Sequence, residues 1–146
     1  MEGRPLHILT PEQARLLTDV LNCIVPTEGV MPGAGDLGIT TCVDEVLAQA
    51  PHLRRSILGL LTQLQNWEFT HLPDADKEAL LRRLEQEQKA PFPILLQVAY
   101  NGYYSHPQVL EARGWVPPDE SGYQLKPFDP KLLENVRQRG PIYKHI

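Results

Sequence analysis

The chain has 146 residues, 42% of them hydrophobic and 22% charged, so it can fill one domain-sized core and lacks the composition of a disordered chain. Its formal net charge of −4 argues against nucleic-acid binding, which requires a basic face. No apolar run approaches the ~18 residues that a membrane helix needs, so no membrane span is expected.

Proline residues mark the boundaries of a series of predicted helices. Thr10, Pro11 and Gln13 form a capping box with proline at the first helical position, and this first helix is expected to stop before Pro26. The glycine- and proline-rich residues 26–38 follow and predict an ordered loop. Apolar residues at intervals of three and four then predict further helices over residues 39–50, 52–69, 74–88 and 93–104.

The C-terminal part of the chain has a different character. Residues 116–130 contain several prolines and predict an extended chain anchored by Tyr123, Leu125 and Phe128, and residues 131–138 predict a short helix. We therefore expect an all-α, single-domain, compact helical bundle of about five to six helices with an extended Pro-rich C-terminal tail. Its domain comprises residues 1–115, and residues 116–146 form a tail that packs on the same domain.

No catalytic or metal-binding motif emerges from the sequence. The five histidines lack metal-ligand spacing, and the Gly33–Gly38 match to a dinucleotide-binding fingerprint has no strand before it, so it predicts only a loop leading into a helix. Ser105 and His106 are adjacent in a segment that reads as a turn, which is a poor geometry for a nucleophile and its base. We expect no catalytic residue, no metal and no cofactor in this chain.

Two further pairs of residues have ordinary structural interpretations. Cys23 and Cys42 lie in apolar-periodic segments and are expected to be buried free thiols, with a single disulfide between them left open. Asp44 and Glu45 are neighbours on a helix and are expected to be solvated surface charges.

Aromatic residues are concentrated between positions 100 and 115. Tyr100, Tyr103, Tyr104 and Trp115 fall within sixteen residues. Tyrosine and tryptophan are enriched where a protein meets a partner, and they are also ordinary core residues of a small domain. The sequence leaves both interpretations open.

The order of several short motifs resembles one known family. Residues 24–27 (Ile-Val-Pro-Thr), 32–34 (Pro-Gly-Ala), Gly38-Ile39 and Val43-Asp44 are similar to the N-terminal signature of the gluconate 2-dehydrogenase subunit 3 family. The aromatic residues 100–107 and the Gly114-Trp115 pair resemble its second signature. The resemblance covers about residues 10–115.

This resemblance implies an accessory role. Members are non-catalytic small, gamma-type subunits that bind and stabilise or mature the large subunit of a sugar or polyol dehydrogenase. That large subunit is a flavoprotein of the glucose-methanol-choline type, which holds FAD and the substrate, and a cytochrome subunit often takes the electrons. Many members carry a twin-Arg export signal that this chain lacks, which implies a cytoplasmic protein, or a periplasmic one if it is a mature form or is exported with its partner.

The two motif regions supply the candidate partner-binding residues: Pro26, Pro32, Gly33, Ala34, Gly38, Tyr100, Gly102, Tyr103, Tyr104, His106, Pro107, Gly114 and Trp115. The competing interpretation is that the glycines and prolines only shape turns and the aromatic residues only fill the core. Two other functions stay open. One is a stand-alone structural or regulatory protein that self-associates. The other is a small-ligand binder or enzyme with a pocket lined by Tyr103, Tyr104, His106 and Trp115.

Overall fold

The computed structural model describes residues 5–87, 91–117 and 128–140. The chain divides into two units, Met1–Trp115 and Val116–Ile146. In the first unit the helices are α1 (Pro11–Ile24), α2 (Ile39–Gln49), α3 (Pro51–Asn66), α4 (Asp74–Glu87), α5 (Pro91–Tyr104) and α6 (Pro107–Ala112). A 3₁₀ turn at Phe69–His71 joins α3 to α4. No strand occurs in the described ranges, so the predicted all-α class is confirmed.

The second unit has less regular structure among its described residues. A 3₁₀ turn at Pro130–Leu133 leads into α7 (Glu134–Arg139), and the Asp129 side chain caps that turn by accepting from the Lys131 N–H. The predicted extended segment falls largely on residues 118–127, which lie outside the described ranges and include Tyr123 and Leu125. Phe128, the third predicted anchor, is exposed.

The start of α1 follows the predicted capping chemistry. The Thr10 hydroxyl accepts from the Gln13 N–H at 3.2 Å, and the Gln13 side chain accepts from the Thr10 N–H at 3.0 Å. These reciprocal bonds satisfy backbone donors that a helix start leaves without partners. The predicted helix start is confirmed.

The end of α3 and the start of α6 differ from the predictions. The third helix was expected to run to residue 69, but it ends at Asn66, and Trp67, which follows it, is exposed. The left-handed Glu68 (φ 49°) turns the chain there and brings Phe69 into the core instead. The turn expected at Pro107 is a short helix, because His106 caps it and proline suits the first helical position.

The core of the first unit is formed mainly by α1, α2, α3 and α5, which pack against one another. Each supplies several fully buried apolar side chains, and burying one such side chain stabilises the fold by about 1.5–3 kcal/mol. α4 contacts α1 and α5 and contributes only Leu81 and Leu84 to the buried set. Cys23 and Cys42 are free thiols, as expected, but each is only partly buried.

Within the described ranges, no helix is both long enough and apolar enough to cross a bilayer.

Candidate functional site

The loop between α1 and α2 is held by a polar network centred on Asn22. The Asn22 side-chain oxygen accepts from the backbone N–H groups of Gly35 (2.8 Å) and Asp36 (3.2 Å), and its amide donates to the Asp36 carboxylate at 3.1 Å. Thr27 donates to the other Asp36 oxygen at 3.2 Å and accepts from the Gly33 N–H at 3.0 Å. The predicted ordered loop is therefore fastened to the last turn of α1.

Glycine is required at two places where this loop approaches α1. A Cβ atom on Gly33 would lie 2.5 Å from the Asn22 side-chain oxygen, and one on Gly35 would overlap the Thr18 carbonyl oxygen. Gly38 takes a left-handed backbone conformation (φ 72°) as the residue that precedes α2. The Pro-Gly-Ala motif and its following glycine therefore shape the chain path.

The tip of the loop is a tight turn. Glu28 and Met31 exchange two backbone hydrogen bonds of 2.9 Å each around Gly29 and Val30. Gly29 has φ 58°, as the first central residue of such a turn requires. Val30 is 83% exposed, so a rigid backbone presents an apolar side chain to solvent.

Tyr103 connects α5 to this loop. Its side chain is 2% exposed, and its hydroxyl donates to the Pro32 carbonyl oxygen at 2.9 Å. Burial raises the pKa of Tyr103, with a smaller contribution from Tyr104, so the hydroxyl stays protonated as a donor. Tyr103 positions the loop and does not itself offer a surface to a partner.

Two other tyrosines of α5 are accessible. Tyr100 is 39% exposed and Tyr104 is 47% exposed, with ring centroids 6.2 Å apart. The Arg113 guanidinium lies over the Tyr104 ring, 5.5 Å from its centroid. We call Tyr100, Tyr104 and Arg113 the aromatic strip.

Trp115 follows a helix stop that explains the Gly-Trp pair. The Gly114 N–H donates to the Glu111 carbonyl at 2.8 Å, and the Trp115 N–H donates to the Leu110 carbonyl at 2.9 Å. This is the Schellman arrangement, and Gly114 has the positive φ (75°) that it requires. Trp115 itself is 51% exposed.

Gly102 and His106 have local structural roles. A Cβ on Gly102 would lie 3.2 Å from Ile39 Cγ2 and 3.4 Å from Cys42 Cβ, so glycine lets α5 approach α2 closely. The His106 Nδ1 accepts from the Gln108 N–H at 3.3 Å and caps α6. Within the described ranges, no three His, Cys, Asp or Glu side chains lie close enough to hold a metal ion.

Asp44 is a buried carboxylate that was expected to be a solvated charge, and that expectation was wrong. It is fully buried and accepts from the backbone N–H groups of His7 (2.6 Å), Ile8 (2.9 Å) and Leu9 (2.8 Å). Burial alone would raise the pKa of Asp44, but these three donors outweigh it and hold the pKa below its ordinary value. Asp44 therefore fastens the segment before α1 to α2.

A groove opens between α1, α4 and α5. Its volume is about 760 Å³, and Pro26 and Tyr100 both line it, so it adjoins the loop and the aromatic strip. We call it the α4 groove. Its apolar lining comprises Cys23, Ile24, Leu81, Phe92 and Leu96. None of the four residues expected to surround a small-ligand pocket lines it.

Comparison with known families settles the relationship of this chain. The family model described as gluconate 2-dehydrogenase subunit 3 matches residues 11–122, which is more than half of the chain. The chain belongs to the gluconate 2-dehydrogenase subunit 3 family. The resemblance predicted from the motifs is therefore confirmed. No curated protein and no solved structure gives a significant match.

Membership of the gluconate 2-dehydrogenase subunit 3 family implies a place in a multi-subunit dehydrogenase. The matched span contains α1 to α6, the loop and the α4 groove. The structure joins the two predicted motif regions, because Tyr103 bonds to Pro32 and Pro26 and Tyr100 line one groove. The exposed candidates are Pro26, Gly38, Tyr100, Tyr104, Pro107, Gly114 and Trp115; Pro32, Gly33, Ala34, Gly102, Tyr103 and His106 are buried or partly buried.

Sequence reasoning missed Asn22, Asp36 and Asp44. Asp44 left a signal, because it lies between Val43 and Leu47 on the apolar face of α2. A charge at such a position predicts a buried acceptor with specific donors. Asn22 and Asp36 left none, since their bonds join side chains that are fourteen positions apart.

Proposed function

We propose that this member of the gluconate 2-dehydrogenase subunit 3 family is a non-catalytic small subunit. Its partner is the large subunit of a FAD-dependent, glucose-methanol-choline-type sugar or polyol dehydrogenase, which it binds and stabilises or helps to mature. FAD and the substrate belong to that large subunit, and a cytochrome subunit is a further partner that takes the electrons. The proposal rests on the family match together with an exposed aromatic surface.

The aromatic strip is the observation that carries this proposal. Tyr100 and Tyr104 expose ring surface beside the cation of Arg113, and Trp115 follows two residues later. Tyrosine, tryptophan and arginine are the residue types that dominate binding energy at protein interfaces. Exposing several of them on one small protein is unfavourable unless a partner covers them.

The backbone that carries the aromatic strip, and the loop beside it, are held in place by specific contacts. Tyr103, next to Tyr104, is fixed by the Pro32 bond and by an edge-on ring contact with Tyr104 at 5.2 Å. The Asn22 network fixes the neighbouring loop. An ordered surface loses less conformational entropy on association, which favours affinity.

The test is co-expression of the tagged chain with the flavoprotein large subunit of its host, followed by affinity capture and measurement of flavin absorbance. We expect wild-type chain to retain the flavoprotein. Tyr104→Ala should weaken binding by about 2 kcal/mol, which is roughly a 30-fold rise in Kd, because it removes a central aromatic contact.

Trp67→Ala is the matched control, because Trp67 is also an exposed aromatic residue but lies outside the strip and outside the α4 groove. We expect it to leave capture unchanged. A colourless homo-oligomer would contradict the proposal and would favour the self-associating alternative, since the strip could equally meet a second copy.

A further inference from the structure

The α4 groove combines an apolar floor with charged walls. Leu81, Phe92 and Leu96 are part of its floor, and α4 brings most of the charge: Asp74, Lys77, Glu78, Arg82 and Glu85. It is about half open to solvent rather than enclosed. Small-ligand sites bury most of their ligand, so a groove that is half open suits a segment of protein better than a metabolite.

The carboxylates of the groove outnumber its cations. Asp19, Asp74, Glu78 and Glu85 face Lys77 and Arg82. Lys77 pairs with Asp19 at 3.8 Å, and Arg82 pairs with Glu78 at 2.6 Å. Among the described residues, neither Asp74 nor Glu85 has an ion-pair partner.

These two carboxylates lie on one line along α4. They are eleven positions apart, close to three full helical turns, so they point in the same direction about 16 Å apart. Leu81 lies between them on the same face of α4 and belongs to the groove floor. The pattern along this wall is therefore carboxylate, apolar, carboxylate.

We propose that the α4 groove binds an amphipathic α-helix of the large subunit, with its apolar face on the floor. Two Lys or Arg residues of that helix, about 11 positions apart, pair with Asp74 and Glu85. This inference rests on the proposed function and adds where the partner binds and what chemistry it presents.

A helix fits this groove better than an extended strand does. The described part of the chain has no sheet whose edge could be extended, so an added strand would leave its own backbone groups unpaired. A helix satisfies its backbone internally and offers one apolar face to a groove between helices. Charge complementarity selects a basic helix over an acidic one.

The first experiment compares two matched charge reversals in the full-length chain. Asp74→Lys with Glu85→Lys changes the groove, and Asp76→Lys with Glu87→Lys makes the same change of charge on α4 outside the groove lining. Both variants replace an acidic residue in the first turn of α4 with lysine, so both lose the same favourable interaction with the helix dipole. Matched unfolding midpoints would show that both variants fold alike.

The expected result is a difference in affinity for the purified large subunit. The groove variant should raise Kd by about tenfold or more, because two attractions become repulsions, and the control should stay close to wild type. The difference should shrink at high salt, since exposed charges are screened. Asp74→Asn with Glu85→Gln should weaken binding by a smaller factor, because the charge is removed without being reversed.

The second experiment is carbodiimide coupling of the purified complex, which joins a carboxylate to an amine that touches it. We expect Asp74 and Glu85 to couple to the large-subunit helix wherever their partner is lysine; arginine partners form no amide, and the charge-reversal variants test those. Coupling to a lysine of this chain more than about ten positions away, or to a second copy, would overturn the proposal by assigning the groove a different occupant. Equal Kd values for both charge-reversal variants would also overturn it.

The outcomes separate this inference from the proposed function. If wild-type chain fails to capture the flavoprotein, the proposed function is wrong. If capture succeeds and depends on Tyr104 but not on Asp74 and Glu85, the proposed function stands and the groove inference is wrong.

Discussion

Asp44 illustrates how one residue can determine where a chain segment lies. Its carboxylate is fully buried on α2 and accepts three consecutive backbone N–H groups from residues 7–9. A buried carboxylate is strongly unfavourable unless donors surround it, and an N–H group without an acceptor is unfavourable as well. The buried Asp44 carboxylate therefore needs the N–H groups of residues 7–9, and these N–H groups need the carboxylate.

Asp44→Asn should destabilise the fold. Asparagine keeps one oxygen as a neutral acceptor. Its NH2 group takes the place of the other carboxylate oxygen and faces backbone N–H donors that it cannot accept from. We expect the free energy of unfolding to fall by about 1–3 kcal/mol near neutral pH, measured by urea denaturation. Glu111→Gln, at an exposed carboxylate, is the control and should change it by less than about 0.5 kcal/mol.

The effect of Asp44→Asn should depend on pH. The pKa of Asp44 in the fold lies below the ordinary value of 3.8, so its stabilisation is complete above that value. It is lost as the pH falls through the lower, folded-state pKa, because the carboxyl is then protonated in both states. The wild-type advantage should therefore narrow in acid, and a difference that is constant with pH would contradict this assignment.

The three tyrosines at positions 100, 103 and 104 show the limit of sequence reasoning about single residues. They share one short segment, yet Tyr103 is in the core and the other two are exposed. Helical periodicity places Tyr100, Tyr103 and Tyr104 on neighbouring parts of α5. It could not say which of them α2 and the loop would cover.

At the scale of elements, the loop between α1 and α2 depends on close backbone packing. Gly33 and Gly35 approach α1 so closely that a Cβ atom has no room, and Gly35 meets a backbone oxygen that cannot rotate away. Gly59, in contrast, lies in the interior of α3 with nothing within 4 Å of its would-be Cβ. Substitution by alanine is therefore expected to lower the stability of the fold at Gly35 and to raise it at Gly59.

Gly35→Ala should destabilise the protein by about 1–3 kcal/mol, because the new methyl group forces the loop away from α1. Gly59→Ala should stabilise it by about 0.5–1 kcal/mol, because alanine restricts the unfolded chain and favours the helix. Thermal or urea unfolding of both variants provides the comparison. Equal effects of the same sign would show that the loop is not packed as described.

α4 is the least apolar of the five longer helices, and this composition leaves the groove beside it. Only Leu81 and Leu84 are buried, and Leu80 packs partly buried against the core, while charged residues line the side that faces α1 and α5. Because α4 has few apolar residues, the sequence provides the least information about which side of this helix packs against the core. Its bounds were nonetheless predicted to within one residue, since helix ends depend on nearby residues.

At the scale of the whole molecule, the described core belongs to one unit. Among the residues whose side chains the structure describes, every buried apolar residue lies between Leu9 and Val109. The stability of the first unit should therefore be largely independent of the residues after 117. The predicted division of the chain into a domain of residues 1–115 and a tail of residues 116–146 stays a prediction, and a shortened chain would test it.

A chain ending at residue 117 should fold as a cooperative helical unit. We expect its helical circular dichroism to persist and its unfolding midpoint to change by less than about 5 °C, because the core contacts remain. The full-length chain is the control. A non-cooperative transition in the shortened chain would show that residues 118–146 complete the core.

The sequence by itself determined the five longer helices and the capping box of α1, because each depends on residues within about four positions along the chain. It did not determine the end of α3 or the short helix α6. It also contained the family signature, whose Gly38 and Gly114 both take positive φ. Only the tertiary structure decided that Asp44 is buried, that Tyr100 and Tyr104 are exposed, and that α4 leaves a groove. These features depend on which distant segments meet, and local periodicity carries no information about that.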